Sequence, residues 1–181
     1  NQSLLASMIE VHGADAARDW AAAIVDNMAR PPQGGDTDQL RGLVSGECDV
    51  AVANHYYFLR GYSQDVKGLS DGIDGLGWVW PNQDGPNQDG RGAHVNLATA
   101  AMTTSSRNTA EAQALLEFLT GDYAQCHFAA QNHEYPAVTG APMDDTTKRL
   151  GEFKPDSTTN TAAFSRNAGA AQAMFNVVGW D

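Results

Sequence analysis

Residues 49–54 read Asp-Val-Ala-Val-Ala-Asn, an apolar run that stops at Asn54, His55 and two adjacent tyrosines, Tyr56 and Tyr57. A short apolar run bounded by polar residues predicts a buried strand. The chain before it has helical patterning. Leu4, Leu5, Met8 and Ile9 share one face of a helix that Ser3 would cap and Gly13 would end. A second helix is expected from Ala14 to Met28, burying Ala17, Trp20 and Ile24, with Arg30-Pro31-Pro32 stopping it. A third follows the Gly34-Gly35 turn, with Asp36 or Thr37 as N-cap and Gly46 as terminator. Helices leading over short connections into an apolar strand predict an α/β fold, with the strand buried in a mostly parallel sheet.

Further along, Gly77–Pro81 and His94–Thr103 also have strand-like composition. Between them lies a tandem repeat, Pro-Asn-Gln-Asp-Gly written twice over residues 81–90. Its turn-forming residues predict a surface excursion. A calcium loop is the rival, but Asp84 and Asp89 lack the alternating acidic spacing and terminal glutamate that such a loop uses. Two helices are expected on either side of Gly121, and a closing helix carries Phe164, Ala168, Ala171, Phe175 and Val178 near one stripe.

A formal charge of −11 repels phosphate backbones, and no Lys/Arg stripe offsets it, so nucleic acid is excluded as a partner. The same field suits a cationic ligand. No apolar run reaches the roughly 18 residues of a membrane helix. Cys48 and Cys126 form no metal or redox spacing and are expected as two separately buried thiols. The chain starts without Met, without a signal peptide, and directly in a helical pattern, as if the natural N-terminus lay upstream.

Enzyme signatures are missing: no G-x-S-x-G, no H-E-x-x-H and no P-loop. A hydrolase built on Ser45 or Tyr57 would need a partnered base that the sequence does not show. The histidines are scattered and read as structural. The tyrosine pair stands out, because ligands of open α/β sheets gather beyond the carboxyl ends of the strands. The plainer reading is two half-buried aromatics at a helix start. The functional one uses phenol chemistry: a pKa near 10 makes phenol a poor ligand for most divalent ions, while a trivalent ion can displace its proton. Phenolate on iron has a precedent in catalase haem. Two adjacent phenolates would favour Fe(III).

The stretches NQSLLASMIEVHG, ARPPQGGDTDQLRGLVSGECDVAVANHYYFLRG, GAHVNLATAAMTTSS, LLEFLT, HEYPAV and NVVGWD together resemble the ferric-iron substrate-binding proteins of bacterial ABC importers. The resemblance spans nearly the whole chain and is most specific at Asn54-x-Tyr56-Tyr57. It implies a two-lobed periplasmic-binding-protein (type II) fold, represented mainly by its C-terminal lobe. Residues 1–86 would lie in that lobe, 87–136 would cross into the N-terminal lobe, and 137–181 would return. Most of the N-terminal lobe, with its own ligands, would be absent from the chain. The middle section would then expose Val95, Leu97 and Leu116.

The resemblance further implies Fe(III) as the transported ligand, held by Tyr56 and Tyr57, with Asn54 contacting a synergistic anion or water. Gln33, in the turn before the third helix, is expected near the same cleft edge. The implied partner is an inner-membrane ABC permease, and the implied place is the periplasm, as a soluble or lipoprotein-anchored protein. The same fold holding an organic anion or a polyamine is the alternative.

Overall fold

Helices form wherever an apolar stripe of 3.6-residue period meets a residue that ends it. The computed structural model describes residues 1–86 and 88–180. It contains α1 (Gln2–His12), α2 (Ala14–Asp26), α3 (Asp36–Ser45), α4 (His55–Ser63), a 3-10 turn (Ser70–Gly75), α5 (Thr109–Leu119), α6 (Asp122–Asn132), the single turn α7 (Asp145–Lys148) and α8 (Ala162–Val178). Gly46 ends α3 in the left-handed region, φ 73°, where its lack of Cβ removes the steric cost.

Two caps differ from expectation. Asn1, not Ser3, precedes α1, and the Ser3 hydroxyl instead donates to Asn96 Oδ1 at 2.6 Å. Gly35, not Asp36 or Thr37, precedes α3, where Asp38 Oδ2 accepts from the Gly35 N–H at 2.9 Å. The carboxylate of Asp36 is thereby free for α4.

Two apolar clusters hold α1 to α4, the 3-10 turn and α8. In the first, Leu5 and Ala6 of α1, Ala17 and Ala21 of α2, and Ala171 and Phe175 of α8 are buried together, with Trp20 and Trp180 against them. The alanines let the three helices approach closely. The second gathers Leu40 of α3, Phe58 and Leu59 of α4, Leu69, and Ile73 of the 3-10 turn, with Tyr57, Trp78 and Leu150 packed on it. Replacing a fully buried leucine such as Leu59 by Ala would cost roughly 2–5 kcal/mol. The helix carrying the tyrosine pair is therefore fixed by its own hydrophobic face.

The α/β expectation is not met: among the described residues the fold is helical, with no strand and no sheet. A single isolated parallel bridge joins Ala93 to Pro155. Residues 50–54 run without a ladder, and Val50 and Val52 are 81% and 45% exposed. The expected strands at Gly77–Pro81 and His94–Thr103 are likewise unpaired. Apolar, β-branched composition favours extended backbone, but a strand exists only when another segment supplies its N–H and C=O partners. No described segment forms a ladder with these runs. Exposed apolar surface continues through Leu97, Leu115 and Phe118, and α5 buries no residue. Val95 and Leu116 are only partly covered. The expectation of two buried thiols also fails, since Cys48 is half-buried and Cys126 is exposed.

The isolated bridge is anchored by a buried ion pair. Asp156, its side chain 3% exposed, lies 3.5 Å from Arg91 Nε. Burial alone would raise the pKa of this carboxyl. Hydrogen bonds from the Thr158 and Thr159 hydroxyls (both 2.6 Å), a backbone N–H and the Arg91 charge outweigh that and hold it at about 2. A carboxylate whose folded pKa is depressed contributes stability above its unfolded pKa, and loses it as pH falls through the folded value. Asp156→Asn is expected to cost about 2 kcal/mol at neutral pH. In urea titrations the gap to wild type should narrow between about pH 4 and pH 2. A gap that stays constant over that interval would show that the charge contributes nothing.

Candidate functional site

The tyrosine pair sits in the first turn of α4. Asn54 precedes the helix in extended conformation, φ −71° and ψ 138°. Its side chain does not cap α4. Its backbone N–H and its amide Nδ2 both donate to Asp36 Oδ2, each at 2.7 Å. The first turn of α3 thus holds the start of α4, and Asp36 does a job that no cap assignment foresaw.

Successive helical residues diverge by about 100°, yet the two phenol rings meet, with centroids 4.5 Å apart. Both are half-buried. Arg60 lies over both rings, its guanidinium carbon 4.9 Å from the Tyr57 centroid and 5.5 Å from that of Tyr56. It stands four residues after Tyr56 and three after Tyr57, so the helix brings it onto the same face. Burial is the main cause that raises the Tyr56 pKa, with the Tyr57 phenol and the Asp36 carboxylate adding to it and Arg60 opposing. At neutral pH Tyr56 is a protonated phenol that only a strong Lewis acid would ionise.

An aromatic group backs the pair. The His55 ring packs edge-on against Tyr56 at 5.6 Å and Tyr135 at 5.2 Å, and at a tilt to Trp80 at 6.0 Å. Trp80 stacks on Phe153 at 4.1 Å. Burial pushes the Tyr135 phenol up to about 12, and its hydroxyl donates to the Gly151 carbonyl at 2.9 Å. His55 Nε2 bonds the carbonyl of His133 at 2.8 Å, and burial lowers its pKa.

Of the predicted site residues, the structure brings Asn54, Tyr56 and Tyr57 together. Gln33 is exposed and lines a separate surface depression of about 540 Å³ with Arg30, Asp38 and Arg41, which neither tyrosine lines. Ser45 donates to the Gly42 carbonyl at 3.1 Å, an ordinary intrahelical contact. Asp36, Arg60, His133 and Tyr135 were not foreseen. Helical spacing from the tyrosines could have found Arg60; the other three contacts cross between separate elements. Among the described residues no group of three or more His, Cys, Asp and Glu side chains is placed to hold a metal ion.

The structure thus presents a half-buried phenol pair at a helix start with a guanidinium over the rings. No family model matches the chain. It is 36% identical over 180 residues to iron uptake protein A1 of Synechocystis sp. (strain ATCC 27184 / PCC 6803 / Kazusa), covering 99% of this chain and 48% of that protein. The identity to iron uptake protein A2 of the same organism is also 36%, over 99% of this chain and 51% of that one. The chain spans about half the length of the curated relatives it matches.

Its structure resembles that of a Trichodesmium IdiA/FutA protein in complex with iron and citrate, with a TM-score of 0.90 and 38% identity. The match covers 100% of this chain and 55% of that one. A ferric binding protein from Campylobacter jejuni gives a TM-score of 0.86 at 32% identity, over 98% of this chain and 54% of that one. The resemblance to ferric-iron-binding proteins therefore holds along the whole chain.

Proposed function

We propose that this chain is part of a periplasmic ferric-iron-binding protein, in which Tyr56 and Tyr57 ligate Fe(III) as phenolates. The convergence of the two phenols, with centroids 4.5 Å apart, carries the reading. The names of the relatives, the acidic net charge of −11 and the lack of a rival His/Cys/Asp/Glu cluster among the described residues support it. Iron in this reading is cargo, handed to an ABC permease of the inner membrane. Among the described residues no helix is long and apolar enough to cross a membrane.

Each phenol gives up its proton as it takes the metal, and the ferric charge supplies the energy to displace it. Arg60 above the rings stabilises the phenolates when they form and helps keep the pair together. Asn54 has one amide N–H that Asp36 does not use, suited to a co-bound anion; Gln33 would reach such an anion only from the neighbouring turn. The packing of α8 on α1 and of Leu150 on the α3–α4 cluster supports grouping residues 137–181 with residues 1–86. In this reading 87–136 is the segment that leaves that body.

The test is to add ferric citrate to the intact protein and record the visible spectrum. A phenolate-to-iron charge-transfer band that saturates with iron is the expected result. Iron bound with no such band would remove the tyrosines as ligands. Saturation by an organic anion or a polyamine without iron would replace the function altogether.

A further inference from the structure

His133 follows α6 in the left-handed conformation, φ 59° and ψ 31°, which is costly for a residue with a Cβ and which Gly or Asn adopts more readily. It is 3% exposed. From there it reaches both ends of α4. Its carbonyl lies 2.8 Å from Nε2 of His55, the first residue of that helix, and its ring Nε2 lies 2.6 Å from Oγ of Ser63, the last.

The proton positions follow from the partners. A carbonyl only accepts, so His55 carries its proton on Nε2. Nδ1 of His133 has no hydrogen-bond partner and stands 3.9 Å from Asp144 Oδ2. A lone pair on Nδ1 would face that carboxylate unfavourably, whereas an Nδ1–H is attracted to it. The proton therefore sits on Nδ1, and Nε2 accepts from the Ser63 hydroxyl.

Glycine is the usual residue at a left-handed helix end, and here that position holds a histidine that bonds one neighbouring helix at two points. We propose that His133 is a positioning residue for the Tyr56–Tyr57 pair: bonding the first and last residues of α4 at once, it fixes that helix so that both phenol oxygens converge on one ion. The inference rests on the reading of the two tyrosines as ferric ligands. Asp36 on Asn54 holds the same turn from the opposite element. The His55 ring, tethered by His133, backs the ring of Tyr56.

The test compares His133→Gly, Ser63→Ala and the double variant in the intact protein. Glycine keeps the left-handed backbone and the carbonyl and removes only the ring. Ser63 is exposed, so its variant folds. In the iron-free protein each single change is expected to speed hydrogen exchange of the α4 amides about tenfold. With ferric citrate, each should weaken iron binding by about three- to tenfold, the size of one net hydrogen bond. The double variant should be no worse than His133→Gly, since both remove the same bond. Unchanged α4 exchange in the single variants, or effects that add in full, would overturn the clamp. A wild-type protein without the tyrosinate band would instead overturn the iron reading, and the exchange measurement would still decide whether His133 clamps α4.

Discussion

Tyr57→Phe is expected to abolish most of the visible iron band and to lower ferric affinity by more than about 100-fold, beyond what loss of an outer partner of a metal ligand costs. Stability should hardly move. The Tyr57 ring packs on the Phe58–Leu59–Leu69 cluster, phenylalanine keeps that packing, and a half-exposed hydroxyl contributes only about 0.5–1.5 kcal/mol. Tyr56→Phe should behave alike. Iron binding should strengthen as pH rises and iron should be released in acid, because each ligating phenol exchanges a proton for the metal. Burial, the Tyr57 phenol and Asp36 raise the Tyr56 pKa, so its proton competes more strongly than that of a free phenol near 10. With both phenolates bound, log affinity should climb by up to about two units per pH unit, one for each proton released. Iron titrations of wild type and both variants at several pH values decide it. One variant with band and affinity intact would make that tyrosine a packing residue, and two would reduce the pair to packing alone.

Gly92→Ala is expected to lower stability by about 3 kcal/mol or more. Gly92 has φ +107°, and a Cβ built there meets the Pro155 carbonyl carbon and oxygen at 2.6 Å and the Asp156 N at 2.8 Å. These atoms are backbone and cannot rotate away. They lie at the isolated bridge in which Ala93 N donates to Lys154 O and Asp156 N to Ala93 O, both at 2.8 Å. A strained dihedral of about 1–2 kcal/mol therefore adds to an overpacking cost of about 1–3 kcal/mol. For a chain of this size, a loss of about 3 kcal/mol lowers the melting temperature by about 6–12 °C. Gly169→Ala in α8 is the control, since a Cβ there meets nothing within 4 Å. It should raise stability by about 0.5–1 kcal/mol. Equal melting temperatures for Gly92→Ala and wild type would mean that the two segments part readily.

The tyrosine pair was visible in the sequence because an apolar run ends on it, and Arg60 stood within reach by helical spacing. By its sequence context Asp36 is a candidate cap for its own helix. Its actual partner, Asn54, lies 18 positions away, and nothing local announces that pairing. His133 and Tyr135 are further still from α4 in sequence, and the left-handed bend that turns His133 toward it follows α6, not α4. The strands failed for the same reason in reverse, since Val50, Val52 and Val79 have the right composition and no strand partner among the described residues.

What the residues determined by themselves was the helices. An α-helix closes its hydrogen bonds four positions apart, so its stripe and terminators such as Gly13, Gly46 and Gly121 are written beside the segment they end, although α2 stops at Asp26 with Asn27 as its cap, short of the expected Met28. The Asn54-Tyr56-Tyr57 signature was equally local. Tertiary structure alone decided whether extended runs become strands, which carboxylate holds Asn54, and which residues of α6 and beyond support the tyrosine helix. Those outcomes depend on hydrogen bonds and ring contacts between residues tens of positions apart, and only the packing of the helices brings such residues within reach.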